Sequence, residues 1–150
     1  MKKPREPRIV RIKPRWKRWQ QQFGKGTMLI ATPRLVEGLM RRAPKGKLLT
    51  IGRIRERLAR DFGATTTCPL TTGIFIRIVA EAANEEINKG KKRATPFWRL
   101  VRDDGCLMEK FPGGVQHQAK RLRQEGHTIV LEQGKKLPRV KDFEQSLIKR

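Results

Sequence analysis

A chain of 150 residues, 33% charged, with 36 Lys and Arg against 14 Asp and Glu and a net charge of +22, has the length of one domain and little apolar material to spare. No apolar run approaches the length of a membrane span, the N-terminus lacks the apolar segment of a signal peptide, and Cys68 and Cys106 make neither a disulfide framework nor a metal site. The basic excess repels itself unless a polyanion neutralises it, so nucleic acid is the expected partner and a membrane is not.

The first 27 residues read as a basic, largely flexible arm. Residues 1–26 hold ten Lys or Arg, one Glu and three Pro, and Pro4, Pro7 and Pro14 forbid a continuous helix. Such a segment suits the phosphate backbone. Trp16, Trp19 and Phe23 recur at three- and four-residue spacing. They form either a stripe that pins the arm to its own domain or a set of faces on which bases stack.

The domain proper is expected over 28–131. Thr32 followed by Pro33 is an N-cap and a favoured first helical residue, and Leu35, Val36, Leu39 and Met40 carry the helix to about Ala43. Thr50 caps a second helix through Ile51, Ile54, Leu58 and Phe62, which Gly63 stops. After the loop "ATTTCPLT", Thr72 caps a third helix from Gly73 to about Asn88, with Ile74, Phe75, Ile78, Val79 and Ala82 as its apolar positions. The loop "NKGKKRAT" is basic and leads to "PFWRLVRDDG". The "DDG" turn joins two short extended pieces, Leu100–Arg102 and Cys106–Met108. "FPGG" turns the chain into a helix from Gly114 to Glu125, ended by Gly126. "TIVLE" is a short strand, and 132–150 is a tail with a short helix from about Val140 to Lys149. The fold class is mainly α with a small β element, winged-helix-like, with the second and third helices as a helix-turn-helix unit.

"TPFWRLVRDDG" followed by "FPGGVQHQAKRLRQEGH" resembles the C-terminal domain of O6-alkylguanine-DNA alkyltransferases. Pro96, Arg99, Val101, Arg102, Gly105, Phe111, Gly113, Gly114, Glu125 and Gly126 sit at nearly matching spacings, and the likeness covers about Pro33 to His127. The family's acceptor cysteine falls on Phe97 and its neighbouring histidine on Trp98. Alkyl transfer needs a thiolate, which a benzyl side chain cannot supply. Trp98 donates one N–H but takes no proton, so Glu125, which matches the family's relay carboxylate, is expected to cap or orient backbone. The resemblance therefore implies an alkyltransferase-like protein, not an enzyme, that binds alkylated or otherwise damaged DNA in support of repair. A nucleotide excision repair protein would be its partner. Two further family positions differ: a Tyr falls on Ile51, and the Arg that fills the gap left by a flipped base falls on Gly73 or Phe75.

Extruding a base costs a few kcal/mol, and an aromatic face returns about 1–3 kcal/mol per base by stacking. A lesion pocket is accordingly expected from Phe97, Trp98, Arg99 and Phe111. Neighbours in an extended segment face opposite ways, so one of Phe97 and Trp98 faces the pocket, and Phe97 is the choice. Thr71, Thr72 and Gly73 at a helix start would present N–H groups and hydroxyls to a phosphate. Phe75 is either a wedge between base pairs or core, and Arg77 either a groove contact or a solvated charge. Arg99 resembles a structural Arg of the family as much as a DNA contact. Lys91, Lys92, Arg93, Lys120 and Arg121 are expected phosphate contacts. No cofactor or metal is implied. The protein is expected to act on double-stranded DNA as a monomer, in a reducing cytoplasm, with the nucleoid if prokaryotic. The rival readings are a general architectural or RNA-binding protein without lesion specificity and an alkyltransferase using Cys106.

Overall fold

Residues expected in a detached arm are built into a sheet. The computed structural model describes residues 6–134 and 136–149. In it β1 (Arg8–Arg11) pairs antiparallel with β2 (Thr27–Ile30), Arg8 opposite Ile30 and Arg11 opposite Thr27. β2 pairs parallel with β4 (Thr66–Thr67), which leaves β1 at the edge. Pro7 stands just before β1 and Pro14 beyond it, positions an edge strand tolerates. The proline spacing that forbids a helix does not forbid this strand. α1 (Lys17–Phe23) fills the β1–β2 connection and ends at Gly24, whose φ of +66° lies in the left-handed half of conformational space. Trp16, Trp19, Phe23, Val10 and Ile30 pack around buried Ile12, Met28 and Cys68. The aromatic stripe thus pins residues 8–23 to the domain, and the boundary near 27 disappears; residues 1–5 of the expected arm lie outside the described residues.

The next two helices begin at their expected caps. Thr32 Oγ1 accepts from the Leu35 N–H at 3.3 Å ahead of α2 (Pro33–Met40), which stops short of Ala43. Thr50, at the end of β3 (Leu49–Thr50), accepts from the Arg53 N–H at 3.2 Å and starts α3 (Ile51–Phe62). Gly63 ends α3 with φ +67°. α4 (Pro69–Asn88) starts earlier than expected. Pro69 supplies a preset helical φ, and Thr72 is no cap: it is buried, and its hydroxyl donates back to the Cys68 carbonyl at 2.6 Å.

β5 (Leu100–Val101) pairs parallel with β3. The Arg102 N–H donates to the Cys106 carbonyl at 2.9 Å across the Asp-Asp-Gly turn, but Cys106–Met108 is not a strand; Cys106 makes one isolated bridge to Arg139. α5 (Gly114–Gln124) follows the Gly113–Gly114 turn. β6 (Ile129–Val130) pairs antiparallel with β7 (Arg139–Val140).

The expected C-terminal helix is replaced by β7 and a 3-10 turn over Phe143–Ser146. Leu48 donates to the Ser146 carbonyl at 2.8 Å, and Ile148 donates to that of Leu48 at 3.0 Å. Val140 and Phe143 are buried in the main core, so the domain does not end at 131. Residues 135 and 150 of the expected tail lie outside the described residues.

α2, α3 and α4 enclose that core with Val36, Met40, Ile54, Leu58, Ile76 and Val79, and Phe97, Leu100, Leu107 and Leu122 close it from the other side. The fold is mainly α with small β elements and winged-helix-like, with α3 and α4 in contact and joined through β4. Among the described residues no helix is long and apolar enough to cross a membrane.

Candidate nucleic-acid interface

The segment that carries the resemblance is not extended. Phe97–Arg99 make one 3-10 turn before β5. Successive side chains there turn by about 120°, not the 180° of a strand. Phe97 points inward and has 0% of its surface exposed. Its ring meets Trp98 edge-on at 5.5 Å and Phe111 edge-on at 5.6 Å, and stacks on His117 at 6.2 Å. Phe111 is buried as well. The expected pocket walls Phe97 and Phe111 are therefore core, because α5 and the loop before it close over them.

Trp98 takes the outward position. Only 9% of it is exposed, yet that surface lines an open cleft of about 540 Å³ between the end of α2, the 89–95 loop and α5. Arg41, Lys45, Lys92, Arg93, Arg99 and Arg121 line the same cleft, with Glu125 as its carboxylate. The Arg121 guanidinium lies 4.4 Å from the Trp98 ring centroid, within cation–π range.

Glu125 holds this wall together. Its Oε2 accepts from Trp98 Nε1 at 2.9 Å and from Arg99 Nη2 at 2.9 Å. Its Oε1 accepts from Arg99 Nε at 3.0 Å and from the Gly46 N–H at 3.2 Å. Burial alone would push the carboxyl up, but these donors together hold it below the usual carboxylate range. Glu125 thus orients backbone, as expected, and also fixes an indole and a guanidinium. Arg99 Nη1 donates to the Ala43 carbonyl at 2.7 Å, so each of the three guanidinium nitrogens has a partner within the protein.

Gln118 fixes the turn from behind. Fully buried on α5, it donates from Nε2 to the carbonyls of Trp98 at 3.0 Å and Leu100 at 2.7 Å, and accepts at Oε1 from the Met108 N–H at 2.7 Å.

The Arg99–Glu125 pair is internally neutral, and Arg41 is paired with Glu37 at 2.9 Å. Among the described residues no ion pair engages Lys45, Lys92, Arg93 or Arg121. Four unpaired cations around one cleft suit polyanion phosphates. The structure thus joins Trp98, Arg99, Lys92, Arg93 and Arg121 in one place, with Lys91 exposed on the same loop and Lys120 exposed on α5 outside the cleft. Arg41 and Lys45 escape a linear reading because helix packing alone brings the end of α2 to the 89–95 loop.

The remaining candidates lie on α4. Thr72 is buried and Thr71 Oγ1 is buried without a hydrogen-bond partner, so neither hydroxyl faces a phosphate. The helix start lies at Pro69, which places Gly73 inside the helix, exposed and open around its Cα. Phe75 is half-buried and packs on the main core. Arg77 is exposed and bonded to Glu81 one turn on, at 3.4 Å. Ile74 and Ile78, expected inside, are exposed with Leu70 along one face of the helix.

Neither cysteine is set up as a nucleophile. Cys68 is buried. Burial pushes the Cys106 thiol up, and the hydrogen bond and charge of Asp104 push it further, away from the thiolate. Among the described residues no group of three or more His, Cys, Asp or Glu is placed to hold a metal.

No protein-family model matches the chain, and no curated protein matches it in sequence. Among solved structures it is similar to S. pombe Atl1 in complex with damaged DNA containing O6-carboxymethylguanine. That likeness has a TM-score of 0.51 at 19% identity and covers 79% of this chain and 94% of the other, so what the two share is the fold.

Proposed function

We propose that this chain is a non-catalytic DNA-binding protein that recognises alkylated or otherwise damaged bases, of the O6-alkylguanine type, and so supports repair carried out by other proteins. The observation that carries the reading is the cationic cleft around the Trp98–Glu125–Arg99 unit. Lys45, Lys92 and Arg93 take phosphates there, and a displaced base stacks on the Arg121 guanidinium, which lies over the Trp98 ring. The volume of about 540 Å³ is within the range of small-ligand sites. The likeness in fold to Atl1, whose structure holds damaged DNA, supports the same assignment. Phe97 occupies the position where the resemblance puts an acceptor thiol, and Cys106 is held away from the thiolate form, which together argue against alkyl transfer.

The burial of Phe97 and Phe111 favours a second reading: a general nucleic-acid binder that keeps the fold without a lesion pocket. Binding to matched duplexes with and without one O6-alkylguanine, over a salt series, separates the two. The proposal expects tighter binding of the alkylated duplex at every salt. Equal affinities at fixed salt establish the general binder. In either case Lys92→Glu/Arg93→Glu should flatten the plot of log K against log salt by about 0.9 for each phosphate no longer neutralised.

A further inference from the structure

A second groove lies on the other cluster of the molecule, away from the Trp98 cleft. It has a volume of about 600 Å³ and is floored by Val10, Met28, Ile30 and Cys68. Trp16 and Trp19 form its aromatic wall, 5.7 Å apart and inclined at 71°. Arg15, Lys17 and Arg18 form its rim, all exposed, and among the described residues no carboxylate lines it. Lys13 Nζ sits 5.5 Å from the Trp16 ring centroid and adds a fourth positive charge.

A packing role accounts for the buried edges of these indoles but not for a cationic rim around an open aromatic wall. We infer that this groove binds unpaired nucleobases of a single-stranded segment, with the indoles as stacking faces and the rim on the phosphates. The tilt of the two rings lets a base lie on one indole while its edge meets the other. Charge selects the occupant: a row of cations without a counter-carboxylate disfavours a second copy of this +22 chain and favours a polyanion. Stacking on an indole needs a base out of its duplex, which favours a single strand over a double one. The groove reaches Cys68, the residue just before α4.

The inference rests on the reading of the chain as a nucleic-acid binder but not on lesion recognition. The test uses the full chain, a duplex with a short oligo(dT) tail and a blunt duplex of equal phosphate number. The tailed duplex should bind about tenfold tighter and quench tryptophan fluorescence. Trp16→Leu/Trp19→Leu keeps the apolar filling and should remove both the preference and the quenching while blunt-duplex binding stays. Arg15→Gln/Lys17→Gln/Arg18→Gln, at exposed positions that do not carry the fold, should weaken tailed-duplex binding more than blunt. Equal binding of the two duplexes by the unmodified protein overturns the inference and leaves duplex binding standing. No binding to either duplex overturns both. Sedimentation that shows a dimer dispersed by the Trp16→Leu/Trp19→Leu change would assign the groove to a second copy and also overturn it.

Discussion

Replacing Glu125 with Ala should cost far more than any other single ion-pair deletion among the described residues. The carboxylate accepts from Trp98 Nε1, from Arg99 Nε and Nη2 and from the Gly46 N–H, and its side chain is only 7% exposed. Its removal leaves the Arg99 guanidinium with the Ala43 carbonyl alone, 15% exposed and without a counter-charge. Two N–H donors are orphaned with it. Breaking a buried pair in this way costs about 3–5 kcal/mol. At about 2–4 °C per kcal/mol for a chain of this size, the melting temperature should fall by about 6–20 °C. The internal control is Asp61→Ala, which breaks the Arg57–Asp61 pair at 3.0 Å with side chains 38% and 43% exposed. An exposed pair of that kind is worth about 0.3–0.5 kcal/mol. Urea unfolding followed by circular dichroism measures both, and an unchanged m-value for each shows that stability alone has moved. If Glu125→Ala costs no more than Asp61→Ala, the carboxylate is not the anchor described above.

Phe97→Cys places a thiol where the resemblance puts the acceptor, but inside the packed core. It should cost about 3 kcal/mol in urea unfolding and transfer no alkyl group; a mass increase of one alkyl unit on the variant after incubation with alkylated DNA would contradict the burial of that position. Acid should destabilise the protein in two windows. Burial, with Arg121 and Lys120 beside His117, holds both His117 and His127 below the usual histidine value of 6.5, so their contribution is complete above that pH. It is lost as pH falls toward the lowered folded values, because the unfolded chain takes up the protons first. The depressed Glu125 carboxyl adds a second loss below about 4.5. Melting temperatures across pH 3–8 would show a flat region above about 6.5 and decline below it; a maximum on the acid side would reverse the sign.

The helix caps were legible because they are local. Thr32 with Pro33, Thr50 and Gly63 each act through a neighbour within a few residues. Thr72 misled because the same hydroxyl can cap forward or bond back one turn, and Pro69 had already started the helix. As a strand the segment would turn Phe97 and Trp98 to opposite faces, whereas the 3-10 turn is held from outside by Gln118 and by packing against Phe111 and His117. The register of β1 on β2 and the return of Ser146 and Ile148 to Leu48 are contacts between distant segments, for which composition carries no signal. The residue types of the cleft could be named, but not its membership: Arg41 and Lys45 join it only through the packing of α2.

The amide of Gln118 uses both of its ends, so it has one permitted orientation and no isosteric substitute. Glutamate would set a negative oxygen against two carbonyls, and leucine would strand three main-chain groups. α5 and the turn bearing the indole are in consequence locked as a single block, and a shift of one drags the other by the same amount. The segment after α2 joins the same block through the Ala43 carbonyl and the Gly46 N–H, so variation of the cleft that leaves this lock undisturbed falls to the 89–95 loop.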